Sequence, residues 1–545
     1  MNLVQTPWLP VQRQDETRER IALWQLLDQH DTNPVMALGS LRPDFNGALT
    51  QFLIALLQTC CTVDEETWED WLFDPPPAEE LRSRFAQVSN AFALDGDGPC
   101  FMQDLDKNLE GTISRIEALL IDAPGENTLK NNQDHFTKRA SGKALCLPCT
   151  GAALLTLQIN APAGGAGNRT GLRGGGPLTT LIQIHGIPQA FAPHGPTLFQ
   201  QLWLNVLDEL AFRSHCPGNL EADNPFPWTE PTRTSRQGEV ITPQDSHPLT
   251  VFWATPRRIR LDFKHVETGT CSLCGDSSAS LIREYVTRNY GANYDAWMHP
   301  HSPYYQNQET AWMPLHPQPG GIGYRHWSDL IHEQDKRRQA GVVTRFKKLP
   351  SRISRRVGRI SLWASGYDMD NMKPRCWHES RMPLFLLEDA NQQAQLEGFA
   401  ETLIAGGKEV CAVLSQSLRK AWFSPGRKVR GDTSFIDLAF WADTESAFFR
   451  KLDRLSEGIK NGEDVMELNF KVMSEWRMDL ERVSVALFNR WAESGAMEFE
   501  NPKRIAEAHN NLLKRLRGPK LRERILDLPK PDKPKKKTLQ VKEAA

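Results

Sequence analysis

No apolar run in this 545-residue chain is long enough to cross a membrane; the best one, Phe52 to Val63, contains Gln58 and stops well short of the ~20 residues a spanning helix needs. Met1 leads into Asn2-Leu3-Val4 without a basic stretch, so neither a secretory signal nor a membrane partner is expected, and the expected location is cytoplasmic. A charge excess is missing too. The formal net charge is only -2, which excludes any inference about a partner from the whole chain. No internal repeat is evident. The glycine-rich window at 163–177 is not followed by Gly-Lys-Ser/Thr and does not fit G-x-G-x-x-G, so a nucleotide cofactor is not supported.

What is present begins with length. A single core stops growing at roughly 250–300 residues, so two domains are the default. Up to about residue 380 the chain mixes short apolar runs with Gly and Pro turns. Ala48 to Cys61 reads as a buried helix, and Leu178–His185, Leu249–Trp253 and Ile259–Phe263 read as strands. From Glu388 the texture changes. Leu396, Phe399, Leu403, Val410, Leu414 and Leu418 fall on one helix face. A second helix is expected from Thr444 through Leu455 and a third from Leu468 through Leu487. A fourth has Asn501 as N-cap, Pro502 at its first position and Gly518 at its stop. The expected class is α+β: a mixed domain over 1–380 with a zinc-knuckle-like site, a four-helix bundle over 381–520 and a disordered basic tail over 521–545.

Ten cysteines in an intracellular chain point to metal ligands or core thiols before disulfides. Cys146-Leu-Pro-Cys149 and Cys271-Ser-Leu-Cys274 each have the two-residue spacing that lets both sulfurs reach one tetrahedral ion. Four Cys ligands close a zinc site to water, so the expected ion is structural Zn2+. The alternatives are a redox pair or unconnected thiols, and the turn-prone surroundings of Cys146 do not suit a thioredoxin-like context.

Seven of the fifteen residues from Ala163 to Pro177 are Gly, with Arg169 and Arg173 among them. Glycine lets backbone N–H groups approach a groove or phosphate, and arginine suits the same partner; a flexible linker is the bland alternative. From Lys336 to Arg359 there are ten Lys or Arg and no Asp or Glu, a candidate polyanion contact or simply a solvated basic segment. His299-Pro-His301 has the HxH pattern of metal hydrolases, yet the prolines around it favour a turn. No His-x-Glu stands upstream of Cys146 to complete a deaminase signature.

Taken in order, Met1-Asn-Leu with Trp8-Leu-Pro-Val11, Phe101-Met-Gln103, both CxxC pairs, Gly171-Leu-Arg-Gly-Gly175, His299-Pro-His-Ser-Pro303, Gly366-Tyr367 and the terminal helices resemble the CasA family, the large subunit of the type I-E CRISPR surveillance complex Cascade. The resemblance spans nearly the whole chain. It implies a subunit without a catalytic site. Such a subunit reads the protospacer-adjacent motif (PAM) of double-stranded DNA, starts strand separation and helps recruit a helicase-nuclease. Its other partners are the remaining Cascade subunits and the guide RNA, whose pairing reads the rest of the target.

The same resemblance puts the family's minor-groove glycine loop on Ala163, Gly164, Gly165 and Ala166, beside Arg169. It puts the family's lysine finger on Arg288 and its wedge tip on Asp370, Asn371 and Met372, where Asn stands for Gln. The aromatic contact to the guide-RNA handle falls on Phe136, with Lys138, Arg139 and Lys143 nearby. Ala163 lies fourteen residues after Cys149 and Arg288 fourteen after Cys274, so one ion is expected to pin both DNA-reading elements. The rival functions are a protein-interaction scaffold that never touches DNA and a metal-dependent nucleic-acid-modifying enzyme.

Overall fold

The computed structural model describes residues 1–124, 142–222, 224–307, 311–333, 335–370, 373–423, 433–492 and 501–530. Two compact units emerge, one of Met1–Ile322 with Asp329–Leu384, the other of Gly323–Ser328 with Phe385–Ala545. Among the described residues the first mixes helices with five small three-stranded sheets, antiparallel throughout. The second is helical.

The first unit is centred on helix α1, Pro43–Cys60, which begins with Pro43 in its first turn and is buried almost all round. Phe52 on this helix meets Phe92, Phe101 and Trp253 at ring-centroid distances of 6.0, 5.6 and 5.8 Å, each edge to face. Buried indoles need acceptors for their N–H groups. Trp68, Trp203 and Trp228 donate to the carbonyls of Val206, Trp68 and Ala91.

Around this core lie strand β1, Leu145–Cys146, helix α2, Leu147–Asn160, and strand β2, Thr179–Ile184. They are followed by β3, Arg258–Leu261, the hairpin of β4, Glu267–Thr270, and β5, Ser277–Ile282, and then β6, Glu284–Arg288. A long hairpin closes the unit: β7, Ile360–Asp370, runs between β2 and β8, Lys373–Leu384. The free edge of β2 is satisfied by amides. Asn205 accepts from the Ile182 N–H and donates to its carbonyl, both at 2.8 Å, and Gln201 does the same for Ile184 at 2.9 and 3.1 Å.

The second unit contains α3, Ala390–Trp422, α4, Ser434–Lys460, α5, Val465–Ala492, and α6, Pro502–Leu516. Asp389 caps α3 through the Asn391 and Gln392 N–H groups, and Asn501 caps α6 through Arg504 N. The expected apolar faces are the buried ones: Leu396, Leu403, Val410, Leu414 and Leu418 on α3; Leu468, Val472, Trp476, Leu480, Val483 and Leu487 on α5. Trp476 Nε1 donates to the Leu403 carbonyl at 2.9 Å. Tyr324, from the Gly323–Ser328 segment, stacks on Phe448 at 4.4 Å and bonds Thr444 Oγ1 at 2.8 Å.

Three local expectations need correction. Leu249–Trp253 is not a strand; Thr250–Trp253 is a helical turn, its N–H groups bonding three residues back. All its side chains are buried, and a short run buried all round carries no periodicity that separates strand from helix. The second long helix begins at Ser434, ten residues before Thr444, because Ile436 and Phe440 extend its buried face. The segment from 521 to 528 is not a tail: Leu521, Leu526 and Leu528 are buried, and Leu526 lies so close to Gly406 that a methyl there would sit 2.8 Å from it. Residues 531–545 lie outside the described residues.

Candidate nucleic-acid interface and cysteine centre

Cys146 ends β1 and Cys149 sits in the first turn of α2, while Cys271 and Cys274 occupy the turn joining β4 to β5. Pairing of β1 with β5, Cys146 opposite Leu281, brings the two knuckles together. The second knuckle tightens through Gly275 N to Cys271 O at 3.0 Å, with Gly275 at φ +79°, where a side chain would be strained. Ser272 ties the knuckles to one another, its N–H and hydroxyl both donating to Ala144 O at 2.9 and 3.0 Å.

All four sulfurs lie within 4.8 Å of one another. Cys146 Sγ and Cys274 Sγ are 3.7 Å apart, far beyond a disulfide bond. A Zn–S bond of about 2.3 Å gives a tetrahedral sulfur–sulfur edge of about 3.8 Å, so the spacing fits a zinc-sized ion. The electrostatics agree. Bonds from Cys146 and Cys149 pull the pKa of Cys271 down, while bonding to Cys146 and Cys271 drives that of Cys149 up. Crowded thiols cannot all ionise unaided, and a divalent cation removes that conflict. Arg20 adds an outer contact, donating to Cys274 Sγ at 3.4 Å and pairing with Asp276 at 2.6 Å.

Helix α2 spans the fourteen residues from Leu147 to Asn160 and delivers the glycine-rich segment at its far end, about 20 Å away at 1.5 Å per residue. There Ala163, Gly165 and Ala166 are exposed and Gly164 is half-buried. Arg257 braces the segment from beneath by donating to Pro162 O and Asn168 Oδ1. On its other side, Asn289 Nδ2 donates to Ala166 O and Tyr290 N to Gly167 O, both at 2.8 Å. Gly167 has φ +78°. Asn289 directly follows Arg288, the last residue of β6. Thus loop and arginine share one scaffold, joined by direct hydrogen bonds, with the cysteine centre at the opposite end of α2.

Arg288 is half-buried, and its guanidinium forms no hydrogen bond or ion pair among the described residues. Arg169 is also half-buried; its Nε donates to Ser235 Oγ at 2.8 Å, and that hydroxyl donates to Gly291 O at 2.7 Å. Arg173 departs from expectation. Only 4% exposed, it donates to Thr179 Oγ1 at 3.0 Å, Ser302 Oγ at 2.9 Å and Gln51 Oε1, and burial pulls its pKa down to about 10. It is an internal strut and does not face a polyanion.

Asp370 ends β7 opposite Lys373, 61% exposed, with Arg375 at 3.6 Å. Asn371 and Met372 lie outside the described residues, as do Phe136, Lys138 and Arg139. Lys143 is described and exposed. The basic run is divided in its roles: Arg345 pairs with buried Asp208, Arg337 with Asp329, and Arg352 and Arg356 with Glu69. Lys336, Arg338 and Lys348 are exposed, Arg338 lying 4.2 Å over Trp312. His299 and His301 are buried, and burial beside Arg173 holds His301 down to about 3. Neither belongs to a metal-ligating cluster among the described residues.

A family model described as CRISPR-associated protein Cse1 matches residues 2–487. The chain belongs to the Cse1 family. Solved Cse1 structures share the fold. CasA of Thermus thermophilus is 17% identical, with a TM-score of 0.65 over 95% of this chain and 99% of that one. Thermobifida fusca Cse1 is 16% identical, with a TM-score of 0.68 over 97% and 99%. A chain of a CRISPR RNA-guided surveillance complex is 15% identical, with a TM-score of 0.61 over 95% and 99%. The Thermus protein is known both as CasA and as Cse1, so the resemblance drawn from the motifs and the family match agree.

Proposed function

We propose that this chain is the non-enzymatic large subunit of a type I-E Cascade complex. In this role it reads the PAM in double-stranded DNA, wedges the duplex open to start R-loop formation and helps recruit a helicase-nuclease, in antiviral defence. Its four helices act as a bundle for contacts with the other subunits. Among the described residues no helix is long and apolar enough to cross a membrane, and we take the working compartment to be the cytoplasm.

One observation carries the DNA-reading part: the loop from Ala163 to Ala166, exposed at all but Gly164, is tied through Ala166 O and Gly167 O to Asn289 and Tyr290, the residues that directly follow Arg288. A minor groove is narrow and presents acceptors, so a reader needs a backbone without bulk and a cation held at its side. Arg288, without a partner of its own among the described residues, supplies the cation. Asp370, Asn371 and Met372 at the hairpin end supply the wedge, and Phe136 the contact to the guide-RNA handle. The four cysteines hold a structural Zn2+ whose closed shell offers no position for substrate.

The test is binding of the assembled complex to duplexes with and without a PAM. Arg288→Ala is expected to reduce discrimination by about 1–3 kcal/mol, the usual cost of a lost base contact. Asn289→Ala is expected to act in the same direction and less strongly, because it frees the loop without removing the charge. PAM-dependent binding unchanged in both variants would favour the scaffold function. Hydrolytic activity lost in His301→Ala would favour an enzyme.

A further inference from the structure

The long hairpin of β7 and β8 carries a second set of metal-ligating side chains. Asp368 and Cys376 are direct cross-strand partners, and His378 lies two residues beyond Cys376 on the same face. A carboxylate oxygen, Cys376 Sγ and a ring nitrogen of His378 fall within 4.8 Å of one another, with Sγ 3.1 Å from Nε2. The partner opposite His378 is Gly366, which brings no side chain of its own, Pro177 and Pro317 packing where one would lie.

We propose that Asp368, Cys376 and His378 form a second metal site, for a borderline-soft divalent ion of the zinc class, that clasps the two strands of this hairpin near its tip. Sulfur, imidazole and carboxylate together select such an ion over calcium or magnesium, which prefer all-oxygen shells. Arg375 does not exclude it. Its guanidinium donates to both oxygens of Asp368, at 2.7 and 3.0 Å, yet a carboxylate has about four lone-pair positions. With one bond to each oxygen, a lone-pair position is left on either oxygen for the metal, and the bidentate arginine becomes an outer partner that orients the ligand. Three protein ligands leave a fourth position to solvent. Cys376 is exposed, so the ion exchanges readily, unlike one enclosed by the four cysteines. The site lies on the hairpin whose end is assigned the wedge, but its argument rests on ligand geometry and not on the DNA-reading function.

The experiment is titration of the metal-stripped full chain with Co2+, following thiolate-to-cobalt absorption and the number of ions bound. Wild type is expected to bind one more equivalent than either Cys376→Ser or His378→Ala, whatever the four-cysteine centre contributes to both totals. A mild chelator removes that equivalent first. Zn2+ also slows hydrogen exchange across Ile360–Asp370 and Lys373–Leu384 in wild type and not in Cys376→Ser. Both substitutions lie at exposed or half-buried positions, and circular dichroism checks their folding. Equal stoichiometry in wild type and either variant overturns the proposal.

Discussion

The two units of this protein are built on different principles. In the helical unit, long apolar stripes face one another, and the polar contacts between helices, such as Trp476 Nε1 to Leu403 O, Trp422 Nε1 to Trp491 O and Ser415 Oγ to Asp437, punctuate stripes that are otherwise apolar. The mixed unit has short strands and many loops, and its shape depends on individual polar contacts: Asn205 on β2, Arg257 and Asn289 on the glycine loop, and four sulfurs joining two turns. Apolar stripes give stability spread over many residues. Specific polar contacts give placement of loops, and each carries a larger share of the local structure.

The sharpest way to break this contrast is to strip the four-cysteine centre of the Zn2+ proposed for it. A closed four-thiolate zinc site binds with about 10–16 kcal/mol in small domains, and that energy is folding energy for whatever the ligands join. Chelation, or Cys149→Ser, is expected to abolish hydrogen-exchange protection across Leu145–Cys146 and Ser277–Ile282 and to leave that of Ala390–Trp422 unchanged. Equal loss in both units would mean that they do not differ in the way described.

The converse perturbation is smaller. Trp476→Ala removes a fully buried indole and leaves Leu403 O without its donor. The expected cost is about 3–5 kcal/mol in denaturant unfolding of the helical unit, the usual range for a truncated core aromatic. Because the loss is distributed along a continuous stripe, the helices persist with reduced stability and α3 keeps its span by exchange. Local melting of α3 alone would contradict the distributed picture.

This contrast also explains what could be read from the sequence. The helical unit was legible because a 3.6-residue period records which side is buried, so Leu396 to Leu418 and Leu468 to Leu487 could be assigned before any coordinates. The cysteine quartet was legible because its spacing is itself the ligand geometry. Arg173 was not, since residue type does not record burial, and an arginine among glycines looks the same whether it faces DNA or Gln51 and Ser302. Asn289 was hidden for a related reason: its partner, Ala166 O, is 123 residues away. Asp368, Cys376 and His378 needed the register of β7 against β8, and only Cys-x-His, two apart on a strand, was a usable hint.

The finest test concerns the amide that replaces a strand. Asn205 makes both hydrogen bonds with Ile182 that a neighbouring strand would otherwise make. Asn205→Ala leaves a buried N–H and a buried carbonyl without partners, each worth about 1–3 kcal/mol when unsatisfied, less whatever water regains in the space left. Asn205→Asp separates the two contributions, because a carboxylate still accepts from Ile182 N and can no longer donate to Ile182 O. The expected order of unfolding midpoints is wild type, then the aspartate variant at a pH where it is protonated, then alanine, with the aspartate variant falling as pH rises and its buried carboxylate ionises. If alanine matched wild type, the edge of β2 would be held by its pairing with β7 alone, and the mixed unit would rely on polar contacts less than the glycine loop implies.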